Sequence, residues 1–344
     1  SLFGRWPLTY AFTFAKAANE AFVTLSTNDT YCLGALVLGH SLRNVNTTRT
    51  LVILITSSVS QRMRNILSTV FDVVKEVNLI DSKDETILAL MKRPELGVTL
   101  TKLHCWQLTE YSKCVFLDAD CLVLKNIDEL FEKEELSAVA DIGWPDCFNT
   151  GVFVFRPSQE TFSQLVALLA KDGSFDGGDQ GLLNMYFSDW AHKDISKHLS
   201  FIYNMSSLSV YSYLPAYKQF GANVKVVHFI GSMKPWMYGY NANTGEVKTP
   251  PFCRDVQALE HISLWWQIFM SKVQPQLSPE CSGLAADLSR LKIGEGSGEY
   301  QGSSAPVDDK QRRANWESGN VDYLGADRFE NIQKKLDEAI SKPK

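Results

Sequence analysis

The sequence lacks any apolar run long enough to cross a membrane, and no run of Lys or Arg exceeds two residues. A membrane span needs about 18 or more such residues, and a protein that binds duplex nucleic acid normally carries a basic field. The 344 residues instead contain 34 Lys and Arg against 39 Asp and Glu, which gives a formal net charge of −5. These absences argue against a membrane protein, and against nucleic acid or an anionic membrane as the main partner.

Paired cysteine motifs are also missing. The seven cysteines are an odd number, and no two of them form a Cys-x-x-Cys pair. This argues against a disulfide framework and against a structural zinc site, so we expect a cytoplasmic protein. We interpret the mildly apolar start of the chain as an irregular extension and not as a signal peptide, because its apolar stretch is short and interrupted by Thr.

Apolar, β-rich runs alternate with helical patterns between residues 21 and 117. Strands are predicted at 21–25, 51–56, 73–80 and 114–117, and helices around 33–42 and at 61–71 and 102–111. This alternation predicts an α/β fold with a parallel sheet and right-handed crossovers. In such sheets ligands bind at the carboxyl ends of the strands, so we expect the functional side chains to lie there.

Two aspartates follow the last of these strands directly. Asp118 and Asp120, separated by Ala119, project to the same side of an extended chain. At a strand end they can share one hard divalent cation, whose remaining positions a diphosphate can fill. Two solvated loop aspartates are the simpler interpretation, but a buried strand that ends in paired carboxylates is costly unless a cation compensates them.

A second group follows the β-rich run at 224–227. His228 could complete a metal site, Gly231 would let backbone approach a phosphate, and Lys234 could neutralise it. The glycine-rich segment at 175–181 is not followed by Gly-Lys-Ser/Thr, so it is no P-loop. Its carboxylates and amide suit sugar hydroxyls instead. Together, these features predict a metal-dependent transferase that acts on a nucleotide diphosphate sugar.

Several longer motifs resemble those of the glycogenin family. They are KRPELG at 92–97, LTKLHCW at 100–106, FLDAD at 116–120, GWPDCFNTGVF at 143–153, DGGDQGLLN at 176–184 and VHFIG at 227–231. The resemblance runs from about residue 20 to residue 268 and resumes over 316–337. It implies a Rossmann-like GT-A fold and a retaining enzyme that uses UDP-glucose and Mn²⁺ to glucosylate one of its own tyrosines. The first glucose is then extended into a short α-1,4-glucan.

The resemblance and the composition together predict a division of the chain. Residues 1–20 and 276–310 carry no resemblance; the first would be a non-homologous extension, and the second, which is rich in Gly, Ser and Pro, a flexible linker. The resemblance implies that 21–275 is the GT-A catalytic domain and 311–344 a tail that binds glycogen synthase. The residues of the tail themselves predict aromatic anchors and one amphipathic helix on a tether. A segment of this kind can bind in a groove of a partner protein. A helix packed back on its own catalytic domain is the alternative. The resemblance further implies a homodimer.

Site residues are carried over by motif. The metal ligands would be Asp118, Asp120 and His228, and the acceptor would be Tyr211, with Tyr213 as its competitor. The substrate-binding residues would be, for uridine, Leu25, Thr27, Asn28 and Tyr31; for the donor and its diphosphate, Arg93, Lys102, Ala119, Gly231 and Lys234; and for glucose, Asn149, Thr150, Asp176, Asp179 and Gln180.

Retention of configuration requires either a double displacement or a same-face attack through an oxocarbenium-like state. The resemblance gives Asp179 the role of nucleophile or cation stabiliser, and Lys102 that of offsetting charge on the departing UDP.

Two other functions stay open on the residues alone. One is an inactive scaffold that recruits glycogen synthase, and the other is a related hexosyltransferase with an external polyol acceptor.

Overall fold

The computed structural model describes residues 19–80, 94–192, 194–206, 214–231, 233–248, 259–291 and 300, without the side chains of 94–97 and 214. Its centre is a six-stranded sheet in the order β3-β2-β1-β4-β7-β6. The first four of these strands are parallel, and β7 runs antiparallel to both β4 and β6. The strands of this sheet are β1 (Glu20–Ser26), β2 (Thr50–Ile55), β3 (Val73–Glu76), β4 (Lys113–Leu117), β6 (Ser137–Ala140) and β7 (Phe148–Phe155). The predicted α/β class and the four predicted strands are confirmed.

Helices cover both faces of the sheet. The described α-helices are α1 (Asp29–Asn44), α2 (Gln61–Leu67), α3 (Gln159–Asp172), α4 (Asp179–Tyr186), α5 (Leu214–Phe220), α6 (Leu259–Ile268) and α7 (Gly283–Leu288). One core cluster joins one face of the sheet to α1, α2, α6 and α7, and a second joins the other face to α3 and α4. Burial on both faces explains why β2 and β4 are continuous apolar runs and do not alternate with polar residues.

Two predicted helices differ from the observed ones. The helix predicted at 102–111 is a 3-10 helix, Pro94–Gln107, that ends earlier and begins earlier. The β-branched residues Val98, Thr99 and Thr101 lower the preference for an α-helix there. The helix predicted at 61–71 ends at Leu67, and the strand predicted at 73–80 ends at Glu76.

A small second sheet adjoins the carboxyl end of β4. It has the order β5-β9-β8 and contains β5 (Cys121–Val123), β8 (Met205–Ser206) and β9 (Val226–His228). A hairpin of β10 (Gly239–Asn241) and β11 (Glu246–Lys248) follows. Because β5 begins immediately after the paired aspartates, this sheet brings distant parts of the chain to them.

The segment after α6 packs against α1. A π-helix, Phe269–Val273, continues α6, and Cys281, Leu288 and Leu291 are buried in the same core as α1. The backbone N–H of Ser282 donates to the Asp29 carboxylate at 2.7 Å. The predicted linker begins at residue 276, whereas the chain remains in contact with this core up to Leu291 and contacts it again at Tyr300, whose N–H donates to the Tyr240 carbonyl oxygen at 3.4 Å.

Among the described residues, none of the helices combines the length and the apolar character that a membrane crossing requires.

Candidate active site

The register of the small sheet creates the centre of the site. Asp118 and Asp120 follow β4, and Cys121 at the start of β5 pairs with His228 at the end of β9. The Nε2 atom of His228 therefore lies 3.4 Å from Asp120 Oδ1 and 3.9 Å from Asp118 Oδ2. The structure brings together the three residues predicted as metal ligands, although His228 is more than a hundred positions away in the chain.

The donor atoms suit a hard divalent cation. Ligand atoms of Asp120, Cys121 and His228 lie within 4.8 Å of one another. Burial raises the pKa of the Cys121 thiol well above its usual value, so this sulfur is a poor ligand. The carboxylates of Asp118 and Asp120 and the imidazole of His228 instead offer oxygen and nitrogen ligands, a set that can hold a divalent cation such as Mn²⁺.

Two lysines face these carboxylates. Lys102 Nζ lies 2.9 Å from Asp118 Oδ1, and the Lys234 ammonium contacts Asp120 and also donates to the Phe229 carbonyl oxygen at 3.1 Å. Burial opposes ionisation of Asp120, but Lys234 and His228 together outweigh it, so the pKa of Asp120 lies well below its usual range. Burial raises the pKa of Asp118 despite Lys102. The centre is thus a buried cluster of compensated charges.

Lys102 joins this centre to the sugar side of the site. Its ammonium also lies 2.6 Å from Asp179 Oδ2, and it donates to the Thr150 carbonyl oxygen at 3.1 Å. The Thr150 hydroxyl donates to the same Asp179 oxygen at 2.7 Å. Burial opposes the ionised form of Asp179, but Lys102 lowers the pKa of this carboxyl below its usual value. Asp179, the first residue of α4, is therefore a charged and fixed carboxylate.

A chain of amides extends from this point. Gln180 Oε1 accepts from Asn149 Nδ2 at 3.1 Å and from the Thr150 N–H at 3.3 Å. Asp141 accepts from both amides, at 2.5 Å from Gln180 Nε2 and 3.3 Å from Asn149 Nδ2. Neutral amides and a carboxylate of this kind can bind sugar hydroxyls, which both donate and accept hydrogen bonds.

Asp141 and Asn204 also belong to the site, although nothing in the sequence indicated them. Asn204 is buried, its Oδ1 accepts a hydrogen bond from His228 Nδ1 at 3.0 Å, and its Nδ2 donates to Asn149 Oδ1 at 2.8 Å. Gly151 completes this arrangement, because a Cβ at this position would lie 2.3 Å from the His228 ring. The Asn-Thr-Gly run at 149–151 lies within a family motif, which points to Gly151 as a site residue. Asn204 is an isolated Asn before the two-residue strand β8, and no motif indicates it.

The predicted uridine residues lie at the end of β1 and the start of α1. Asn28 caps α1 by accepting from the Tyr31 N–H at 3.0 Å, and its amide donates to the Thr27 hydroxyl at 3.3 Å. The Tyr31 ring meets Trp236 edge-on, with centroids 5.4 Å apart. Leu25 is half-buried at the end of β1. These residues share an edge of the sheet with the paired aspartates, because β1 and β4 are adjacent and parallel.

Three further predicted residues sit in turns. Gly231 has a φ of 101°, a conformation that favours glycine. Ala119 lies between the two aspartates and is buried. Asp176 bonds within its own loop, where it accepts from the Ser174 hydroxyl and the Gly178 N–H, both at 2.8 Å. Arg93, Tyr211 and Tyr213 lie outside the described residues, as does the predicted tail at 311–344.

The fold and the site define a GT-A glycosyltransferase, a class that generally uses a nucleotide sugar and a divalent metal. The model of the family "Glycosyl transferase family 8" matches residues 22–239. A crystal structure of an active-site mutant of LgtC aligns with a TM-score of 0.51 at 16% identity, over 74% of this chain and 96% of that one. This likeness supports the fold.

Sequence similarity narrows the class. Glycogenin-1 of Mus musculus is 55% identical over 332 residues, which cover 93% of this chain and 98% of that protein. Glycogenin-1 of Homo sapiens is 52% identical with the same two shares, and human glycogenin-2 is 60% identical over 75% of this chain and 52% of its own. The chain belongs to glycosyl transferase family 8 and, within it, to the glycogenins. The predicted function, a glucosyltransferase that initiates glycogen, is confirmed at the level of the family, and the two alternative functions are not favoured.

Proposed function

We propose that this chain transfers glucose from UDP-glucose to its own Tyr211 and extends it into a short α-1,4-glucan that primes glycogen synthase. The observation that carries this proposal is the position of Lys102, whose ammonium lies 2.9 Å from Asp118 and 2.6 Å from Asp179. The buried Lys102 ammonium thereby links the metal side of the site to its sugar side. A diphosphate sugar has the same two parts, a charged one and a neutral one, joined at the bond that breaks.

Mn²⁺ would be held by Asp118, Asp120 and His228. When bound, this cation would offset the negative charge that develops on UDP. Lys102 and Lys234 already lie beside the aspartates and would place two positive charges at the diphosphate. Gly231 would let backbone approach the phosphates, and Arg93 would approach the donor. Uridine would lie against the end of β1, with its base on the Tyr31 ring.

Glucose would lie among the amides and carboxylates on the other side of Lys102. Asn149, Thr150 and Gln180 are held in one hydrogen-bonded network with Asp179, and Asp176 would contribute from the preceding turn. Asp179 would face the anomeric carbon. As an ionised carboxylate, it can act as a nucleophile or stabilise an oxocarbenium-like cation, and both routes give retention.

The chain connectivity supports Tyr211 as the acceptor. Ser206 in β8 pairs with His228 in β9, so the described chain before the acceptor ends beside a metal ligand. Five residues span at most about 18 Å, which keeps Tyr211 within reach of the site. A phenol with a pKa near 10 is also easier to deprotonate than a sugar hydroxyl. The family motif Tyr-x-Tyr-x-Pro favours Tyr211 over Tyr213.

One labelling experiment tests this function. The pure protein is incubated with radiolabelled UDP-glucose and Mn²⁺ without an acceptor, and covalent label is measured. We expect label on the chain, whereas an inactive scaffold or an enzyme with a polyol acceptor would remain unlabelled.

The acceptor is tested by two matched variants. Tyr211→Phe removes one oxygen and should accept no label on itself, while it still passes glucose to an added maltoside. Tyr213→Phe should label nearly as well as the parent, and peptide mapping should place the first glucose on Tyr211. The opposite pattern would move the acceptor by two residues and leave the donor site unchanged.

We further propose that residues 311–344 bind glycogen synthase, that the chain forms a homodimer, and that it acts in the cytoplasm. A tether between the residues that pack against α1 and the tail would keep the synthase near the growing primer at high effective concentration. Deletion of 311–344 should abolish binding to glycogen synthase and leave self-glucosylation unchanged. Loss of self-glucosylation in the shortened chain would assign the tail to the catalytic domain instead.

A further inference from the structure

Trp144 stands out among the described side chains because 95% of its surface is exposed. Two other large apolar residues, Ile142 two positions before it and Phe175 in the turn that precedes α4, are 52% and 54% exposed. Single exposed apolar residues need no explanation, but an indole with almost no protein contact is costly in water and is typical of a binding surface. The position of these three residues relative to the active site indicates what they bind.

Trp144 lies at the tip of a tight loop. The Asp141 N–H donates to the Cys147 carbonyl oxygen at 2.8 Å, and the Cys147 N–H donates to the Pro145 carbonyl oxygen at 2.8 Å. These bonds close the loop at its base. The side chain at that base belongs to the sugar side of the site, because Asp141 Oδ2 accepts from Gln180 Nε2 at 2.5 Å. The indole therefore projects from a fixed base at the margin of the proposed glucose site.

Phe175 lies on a second loop that meets the first. The next residue, Asp176, is bonded within this loop, which leads directly into Asp179. Gln180, which follows Asp179, donates to Asp141 at 2.5 Å, so the segment after Phe175 is bonded to the base of the Trp144 loop.

The chemistry of this margin favours a neutral, hydroxyl-rich ligand. Asp141, Asp146 and Asp176 lie on these loops, and their negative charge repels nucleotides and other anions. A sugar ring has an apolar C–H face that stacks on an indole, and its hydroxyls can donate to carboxylates. The indole lies outside the hydrogen-bonded network that would hold the reacting glucose, so a glucan of several residues suits it better than a single glucose.

We propose that Trp144, together with Ile142 and Phe175, forms a binding platform for the α-1,4-glucan acceptor, beyond the glucose residue that reacts. This inference rests on the proposed function. The platform would recognise a glucan that is already several glucose residues long.

The test is the affinity of the full-length protein for maltoheptaose, measured by isothermal titration calorimetry. We expect Trp144→Ala to bind maltoheptaose about tenfold more weakly, and Trp144→Tyr to retain most of the affinity because it keeps an aromatic face. Phe175→Ala should weaken binding less. Ile195→Ala is the matched control, because Ile195 is 78% exposed but lies outside both loops, and its affinity should equal that of the parent. The apparent KM for maltoheptaose as an added acceptor should rise in the same order.

Equal affinity of Trp144→Ala and the parent would overturn the platform. A Trp144→Ala variant that loses self-association and keeps its maltoheptaose affinity would also overturn it, and would make this surface a contact between copies of the chain. The proposed function is tested separately by covalent label from UDP-glucose in the parent. If the parent labels itself and Trp144→Ala binds maltoheptaose normally, only the platform is wrong.

Discussion

Two buried lysines lie at opposite ends of strand β4, and they have very different surroundings. Lys113, at the start of the strand, donates to the Phe131 carbonyl oxygen at 2.9 Å and pairs at 3.2 Å with Glu134, whose side chain is 57% exposed. Lys102, beyond the other end, lies between Asp118 and Asp179, whose side chains are 29% and 7% exposed. Water screens the first ion pair, so it contributes little. The two ion pairs of Lys102 are largely withdrawn from water.

This difference separates a structural lysine from a functional one. Buried charges carry a large desolvation penalty, and a cluster of six charged or titratable side chains is a poor way to stabilise a fold. The cluster at the carboxyl end of β4 is explained by the charge that a diphosphate and a cation bring to it.

Asp118→Asn and Asp120→Asn should each lower glucose transfer to below about 1% of the parent, because the cation site loses charge. The two variants should differ in stability. Asp118→Asn leaves Lys102 paired with Asp179, whereas Asp120→Asn leaves Lys234 with only the Phe229 carbonyl among its described partners. We therefore expect the lower Tm for Asp120→Asn in thermal unfolding. Near-normal turnover of either variant with Mn²⁺ present would contradict the metal assignment.

Lys102→Met should lower transfer about a hundredfold and destabilise the fold by about 3 kcal/mol, since it leaves two carboxylates without their cation. Lys113→Met is the matched control at the other end of β4, and it should retain the kcat of the parent. Steady-state kinetics and urea unfolding measure both effects. Equal losses of glucose transfer and of stability in Lys102→Met and Lys113→Met would show that the two lysines do not differ in function.

Asn204→Ala should weaken Mn²⁺ binding about tenfold or more, because Asn204 fixes the orientation of His228 through Nδ1. Calorimetric titration with Mn²⁺ measures this without turnover. Asn65→Ala removes an exposed amide on α2 and serves as the control. If the two variants bind Mn²⁺ with the same affinity, Asn204 does not position the ligand.

Glu134→Gln should have the smallest effect. It removes the exposed partner of Lys113 and Arg156, so we expect a Tm within about 2 °C of the parent and an unchanged kcat. A large fall in Tm would mean that the amino end of β4 depends on its ion pair as strongly as the carboxyl end depends on Lys102.

The sequence predicted the parts of this molecule that depend on local pattern. Continuous apolar runs identified β1, β2 and β4, and the carboxylates after β4 identified the centre of the site. These features are readable because burial on both sides of a sheet and charge at a strand end each require particular residue types within a short window.

Features that depend on distant contacts were harder to predict. Asp141 and Asn204 act through bonds to Gln180 and His228, which lie 39 and 24 positions away, and nothing in their neighbours marks them. The 3-10 form of Pro94–Gln107 also escaped prediction, because apolar spacing over a short segment does not separate it from an α-helix. The roles of Arg93 and Tyr211 stay predictions from motif resemblance.

The bond between Ser282 and Asp29 has a consequence for shortening the chain. Asp29 is buried in the first turn of α1, next to Asn28, and its carboxylate also accepts from the Ser60 N–H at 2.8 Å and hydroxyl at 2.6 Å. A truncation after residue 275 would remove one of these donors and uncover the part of α1 that α7 covers. A stop placed after Tyr300 keeps both, together with the contact of Tyr300 with the core, so a catalytic fragment that ends there should have a higher Tm than one that ends at residue 275.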